Sequence, residues 1–340
     1  MGRKRTSEPG RQADIAAVHR PLIGEDGQRT MSRLGRREGA LSDTWDDKAD
    51  LLSAWRSMDH NEDYWRFLVR DVWRLDRAPV RVADFGCGYG WAGLFLLPML
   101  ASGSEYTGLD RSQALLDKGK ELFAASGQHA NLVQGDATQT SFDDDQFDVA
   151  IAHALTMHLP SAAKALAEMI RVTRDGGLVI TCDASRNAIN ALIHVHETEE
   201  QEHMPLSLFQ RMNAHVRRRS GVDYNIGMKM PVLMHKAGLH DVGARVSDAV
   251  RLSFPPLDTP EKERVFRAIC DGGLGVVPGD DASFRRAVAQ LMDRGLTEDE
   301  AAGELRREMR NDYRHKGRDY HIVQPGLMTI SFGTVQKGRG

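Results

Sequence analysis

Apolar β-formers that run straight into a cluster of glycines fix a strand, a tight turn and a helix start. Residues 82–93 have that form: Val82-Ala83-Asp84-Phe85-Gly86-Cys87-Gly88-Tyr89-Gly90-Trp91-Ala92-Gly93. Glycines there let the backbone take positive φ and let a ligand lie against it. The dinucleotide pattern G-x-G-x-x-G is met only in part, because Gly93 comes late after Gly86 and Gly88. Asp84, two residues before the first glycine, would repel a pyrophosphate and attract an ammonium group. The loop therefore favours a cationic, phosphate-free nucleoside.

Later signals fall in a matching order. Glu105-Tyr106-Thr107-Gly108-Leu109-Asp110 reads as a second strand, ending about twenty residues after the loop in an acid suited to ribose hydroxyls. Asn131-Leu132-Val133-Gln134-Gly135-Asp136-Ala137 reads as a third strand, with Asp136 placed to receive an adenine amino group. Residues 147–153 and 175–181 read as the fourth and fifth strands. With Asp84, Gly86, Gly88 and Gly90, the set resembles the class I S-adenosylmethionine-dependent methyltransferases, in the branch of quinone-biosynthesis and natural-product enzymes. The resemblance covers about residues 80–185. It implies a Rossmann-like α/β fold with a seven-stranded, mostly parallel sheet, an antiparallel last strand and helices on both faces. It implies S-adenosylmethionine as cofactor, held by Asp84, Gly86, Cys87, Gly88 and Gly90 at the methionine end. Asp110 would hold the ribose, Asp136 the adenine and His153 the methionine part, with Arg111 and Ala137 also in the cofactor site. Cys87 reads more simply as a small residue tolerated in the turn than as a nucleophile.

Composition bounds the partners. The chain has 340 residues, 41% hydrophobic and 27% charged, with a formal charge of −3. That balance gives no bulk electrostatic reason to expect nucleic acid. No apolar run reaches membrane-spanning length. The basic start Arg3-Lys4-Arg5 leads into no hydrophobic segment, so it does not read as a secretory signal. Three cysteines, at 87, 182 and 270, show no metal spacing and suit a reducing cytoplasm.

Strand–helix alternation predicts helices over 91–101, 112–126 and 161–173. The expected organisation is a polar, basic tail over 1–40, then a helical lid over 41–78 carrying Trp45, Trp55 and Trp65. A core follows over 79–254, interrupted by a helical cap at 185–224. A second helical insertion spans 255–322, and the last core strand and tail occupy 323–340. The sixth strand is expected as one run over 241–252. Gly272-Gly273-Leu274-Gly275 reads as a loop.

A sulfonium methyl donor is already activated, so methyl transfer needs alignment and dryness more than a strong catalytic group. A base is needed only where the acceptor keeps a proton at neutral pH. His158, in Leu155-Thr156-Met157-His158-Leu159-Pro160, resembles a family segment written L-H-H-L-P and is the catalytic candidate. A packing histidine that bonds the backbone is the plainer alternative. His194, His196, Glu197 and His203 form no ordered ligand triplet, so no metal is expected. Phe209, Tyr224, Trp45 and Trp55 are candidates to line an acceptor pocket, with core packing as their default role. The resulting expectation is methylation of an O, N or C atom of a small molecule, aromatic acceptors included, in natural-product metabolism. Alternatives are a macromolecular acceptor and a cofactor-binding protein without turnover. The early helices or the second insertion offer surfaces for a homodimer.

Overall fold

The computed structural model describes residues 60–196, 205–271, 279–310 and 320–338. The expected tail, Trp45, Trp55, Glu197, His203 and the glycines at 272–275 lie outside them.

Five strands make the parallel part of the sheet: β1 (Arg81–Phe85), β2 (Glu105–Asp110), β3 (Asn131–Gln134), β4 (Phe147–His153) and β5 (Thr173–Ala184). Two more close it, β7 (His240–Val246) and β10 (Met328–Thr334). The order is β3-β2-β1-β4-β5-β10-β7, with β10 antiparallel to both its neighbours. Helices cover both faces of β1 and β4, so their sequences are apolar runs rather than alternating ones. Val149, Ala150, Ile151 and Ala152 are each at most 2% exposed.

The helices begin and end where local chemistry dictates. α1 (Glu62–Phe67) runs on into a wider π-type turn over Leu68–Trp73. Trp65, Leu68 and Val69 from this segment are buried in the main core. α2 (Trp91–Leu96) stops well short of residue 101, giving way to a 3-10 turn that contains Pro98, which lacks a backbone donor. In α3 (Gln113–Ser126) the Ser112 hydroxyl caps the start by accepting the Leu115 N–H at 3.1 Å. α4 (Ala162–Val172) joins β4 to β5.

The expected strand over 241–252 is two strands. Ser247 donates its N–H to the Met328 carbonyl at 2.8 Å, and its hydroxyl accepts the Met328 N–H at 3.0 Å. These bonds close the ladder, and the chain then leaves the sheet. β8 (Val250–Ser253) joins a separate antiparallel sheet with β6 (His194–Val195) and β9 (Ile322–Pro325), in the order β6-β9-β8.

The insertions meet each other. The first carries α5 (Arg186–Leu192) and α6 (Leu206–Ser220); α7 (Met230–Lys236) then returns to the core. The second carries α8 (Pro260–Asp271), α9 (Asp281–Asp293) and α10 (Glu298–Arg310). Met212 of α6 shares a small core with Val288 and Leu291 of α9 and with Ala301 and Leu305 of α10. An ion pair between Arg211 and Glu300 at 2.7 Å flanks it. Segments far apart in sequence thus build one helical unit, the expected cap.

Ile151 is fully enclosed at the sheet centre. Replacing it with Ala should cost about 2–5 kcal/mol in urea unfolding, from lost transfer energy plus a cavity. A loss below about 1 kcal/mol would mean that the centre of the sheet is not packed as described.

Candidate active site

The glycine loop sits at the carboxyl ends of β1 and β2, beside the point where the sheet order reverses, which is where open α/β sheets bind ligands. Gly86, Gly88 and Gly90 all have positive φ. At Gly90 the constraint is double: φ is +79°, and a Cβ would lie 2.6 Å from the Phe123 ring. The Cys87 N–H donates to the Leu109 carbonyl at 3.0 Å, and the buried thiol packs inside the turn.

Asp110 ties the loop together. One carboxylate oxygen accepts the Gly88 N–H at 2.7 Å and the other accepts the Ser112 N–H at 2.9 Å. Each oxygen can accept two hydrogen bonds, so each keeps one acceptor site. Two sites side by side suit a pair of ribose hydroxyls.

Asp84 is 1% exposed, and Tyr106 donates its hydroxyl to it at 2.5 Å. It lies within the base of the loop rather than on an open surface. Asp136 is more exposed. Its Oδ1 accepts both the hydroxyl and the N–H of Thr138, and its Oδ2 accepts from Arg111 at 2.6 Å. Thr138 first, then Arg111, hold its carboxyl down at about 2. One acceptor site remains there for an exocyclic amine. Ala137 is buried beside it.

His153 follows Ala152, the register partner of Phe85, and so lies beside the start of the glycine loop. It is 3% exposed, with its Nε2 2.7 Å from that of His60 and its ring against Trp91. His158 closes a 3-10 turn over Thr156–His158 and is half-buried, its ring edge-on to Tyr224 at 6.2 Å between centroids. Arg186 lies over the same tyrosine at 5.9 Å. The cap seats against this turn: a Cβ on Gly221, at the end of α6, would fall 2.3 Å from the Pro160 carbonyl oxygen. His194 and His196 lie on and just after β6, with His196 near His321, away from the glycine loop.

Asp183, at the end of β5, was not singled out from sequence, although an acid in the run Thr181-Cys182-Asp183-Ala184 is a legible signal. It accepts the Thr156 hydroxyl at 2.7 Å and the Met157 N–H at 3.1 Å, and so holds the turn that carries His158. Burial pushes its carboxyl up to about 6, against the opposing pull of these hydrogen bonds. A cavity of about 280 Å³ lined by Val80, Asp148, Arg174 and Thr334 lies at the other edge of the sheet, away from these residues.

Residues 82–177 match the family model described as a methyltransferase domain. These residues carry a methyltransferase-domain signature of the class I type. The demethylmenaquinone methyltransferase of Staphylococcus aureus (strain MRSA252) is 34% identical over 110 residues, 32% of this chain and 45% of that protein. The chain thus spans less than half the length of that relative. The enzyme of the same name from Staphylococcus epidermidis (strain ATCC 35984) is 26% identical over 53% of this chain and 76% of its own. The crystal structure of the 4+2 cyclase SpnF overlays at a TM-score of 0.47 with 17% identity, covering 86% of this chain and 95% of its own. Among the described residues no helix is long and apolar enough to cross a membrane.

The residues fit the cofactor of this methyltransferase family. Asp110 has a carboxylate suited to a diol, Asp84 is enclosed beneath the loop and bonded to Tyr106, and the loop offers no side-chain cation for a phosphate. His153, given to the methionine part by the resemblance, packs against His60 and Trp91, and His158, the catalytic candidate, lies in the 156–158 turn beside Tyr224.

The Asp183 shift carries a sign. Its folded value lies above the ordinary 3.8, so the folded state holds the proton more tightly than the unfolded chain. This contribution is fully present below pH 3.8 and is lost as pH rises through about 6. Asp183→Asn should remove that slope, worth on the order of 2–3 kcal/mol between the two limits. Parallel stability–pH curves for the two proteins would contradict a buried, proton-holding Asp183.

Proposed function

We propose that this chain transfers a methyl group from S-adenosylmethionine to an O, N or C atom of a small molecule. The observation that carries the reading is the Asp110 clamp on the Gly88 and Ser112 N–H groups, which leaves two adjacent acceptor sites beside a left-handed glycine loop. When bound, the cofactor supplies a methyl group already activated on a sulfonium. Asp110 accepts from the ribose hydroxyls, Asp136 takes the adenine amino group through its remaining acceptor site, and Asp84 faces the ammonium end. The helical cap excludes water and orders the acceptor.

In this reading His158 would accept a proton from an acceptor hydroxyl or amine as the methyl group arrives. Tyr224 beside it offers a flat wall, and Arg186 a positive charge. That combination favours a planar acceptor carrying negative charge. The similarity to demethylmenaquinone methyltransferases supports a small acceptor, and the identity of that acceptor stays with the cap, which lies outside the matched residues 82–177. Buried thiols at Cys87 and Cys182 suit the reducing cytoplasm.

Calorimetric titration with S-adenosylmethionine, S-adenosylhomocysteine and NAD tests the cofactor. The two adenosyl ligands should bind and NAD should not; binding of NAD alone would overturn the reading. Asp110→Ala should weaken adenosylhomocysteine binding about 10- to 100-fold, the value of one or two hydrogen bonds to a charged group. His158→Ala should lower kcat and flatten the acid limb of the pH profile while cofactor affinity holds. Unchanged turnover across pH would make His158 a packing residue.

A further inference from the structure

We propose that His60, His153 and Cys182 form a buried zinc site. His60 Nε2 and His153 Nε2 are 2.7 Å apart, and Cys182 Sγ is 3.8 Å from His60 Nε2. All three donor atoms lie within 4.8 Å of one another. The residues are 6%, 3% and 0% exposed.

The fold brings them together from three segments. His153 ends β4 and is the register partner of Cys182 on the parallel β5, so both side chains emerge on one face of the sheet. His60 precedes α1 and is fixed by Trp65, edge-on at 5.0 Å, and by Trp91 at 5.6 Å.

The donor set selects the metal class. Two imidazoles and a thiol suit zinc, whereas magnesium and calcium demand oxygen ligands. Tetrahedral zinc with bonds of about 2.0–2.1 Å to nitrogen and 2.3 Å to sulfur sets N···N near about 3.3 Å and N···S near about 3.6 Å. The thiol already lies near this distance from His60, and the imidazoles must part by about 0.6 Å. Three protein ligands leave a fourth position for water or another small ligand.

Protons balance simply. In the metal-free pair one imidazole carries its proton on Nε2 and donates it to the other. On binding, that ring changes tautomer and keeps its proton on Nδ1. The thiol loses its proton to solvent and forms the zinc–sulfur bond. One proton leaves per ion.

The test uses the full chain, stripped by chelator and kept reduced, titrated with cobalt(II) and then zinc. The expected result is one equivalent bound, with the visible bands of a four-coordinate site and a near-ultraviolet thiolate charge-transfer band. Zinc should displace the cobalt and release one proton per ion from the apo chain. Cys182→Ser should abolish the charge-transfer band, and His60→Gln should weaken zinc at least tenfold; circular dichroism confirms that each variant is folded. Absence of the band in the wild type, or its survival in Cys182→Ser, overturns the proposal, as does binding of copper without zinc. If Cys182→Ser fails to fold, loss or retention of zinc affinity in His60→Gln decides. No cofactor enters the titration, so failure here leaves the methyl-transfer reading intact.

Discussion

The clamp of Asp110 on two backbone N–H groups is the interaction on which the rest of the site depends. A loop of three left-handed glycines is entropically expensive to order, because glycine loses more freedom than any other residue. The carboxylate offsets this cost from the neighbouring strand: it takes the Gly88 N–H of the loop and the Ser112 N–H at the start of α3. Hydrogen bonds to a charged group contribute roughly 1.5–3 kcal/mol each. The loop, the end of β2 and the first turn of α3 are thereby one rigid corner. Its position follows from the parallel pairing of β1 with β2, which puts both strand ends at the same edge.

The proposed acceptor side is built differently. It rests on Asp183, a fully buried carboxylate that orients the 156–158 turn, and on a cap assembled from both insertions. The cofactor corner is made of residues close in sequence, whereas the acceptor side draws on β4, β5, α5 and α6 together.

The same division decides what was legible in the sequence. The acids Asp84, Asp110 and Asp136 were readable because each lies within or just after a short β-forming run, and the Ser112 cap was readable because its chemistry is local. The antiparallel β10 came from the family resemblance rather than from any pattern in residues 326–335. The break at Ser247 was hidden: residues 241–252 look like one strand, and only the bonds to Met328 end it. The contact of Met212 with α9 and α10 was hidden because amphipathic helices show a buried face but not its partner. His60 was missed for a related reason, since it precedes a helix and takes its meaning from His153, 93 residues away.

Amide hydrogen exchange with and without S-adenosylhomocysteine tests the central claim most directly, because it reports which edge of the sheet holds the ligand. The structure predicts slowed exchange at residues 86–90 and 110–112, at the carboxyl ends of β1 and β2. Protection confined to Val80, Asp148 and residues 174–178, around the cavity at the opposite edge, would contradict it.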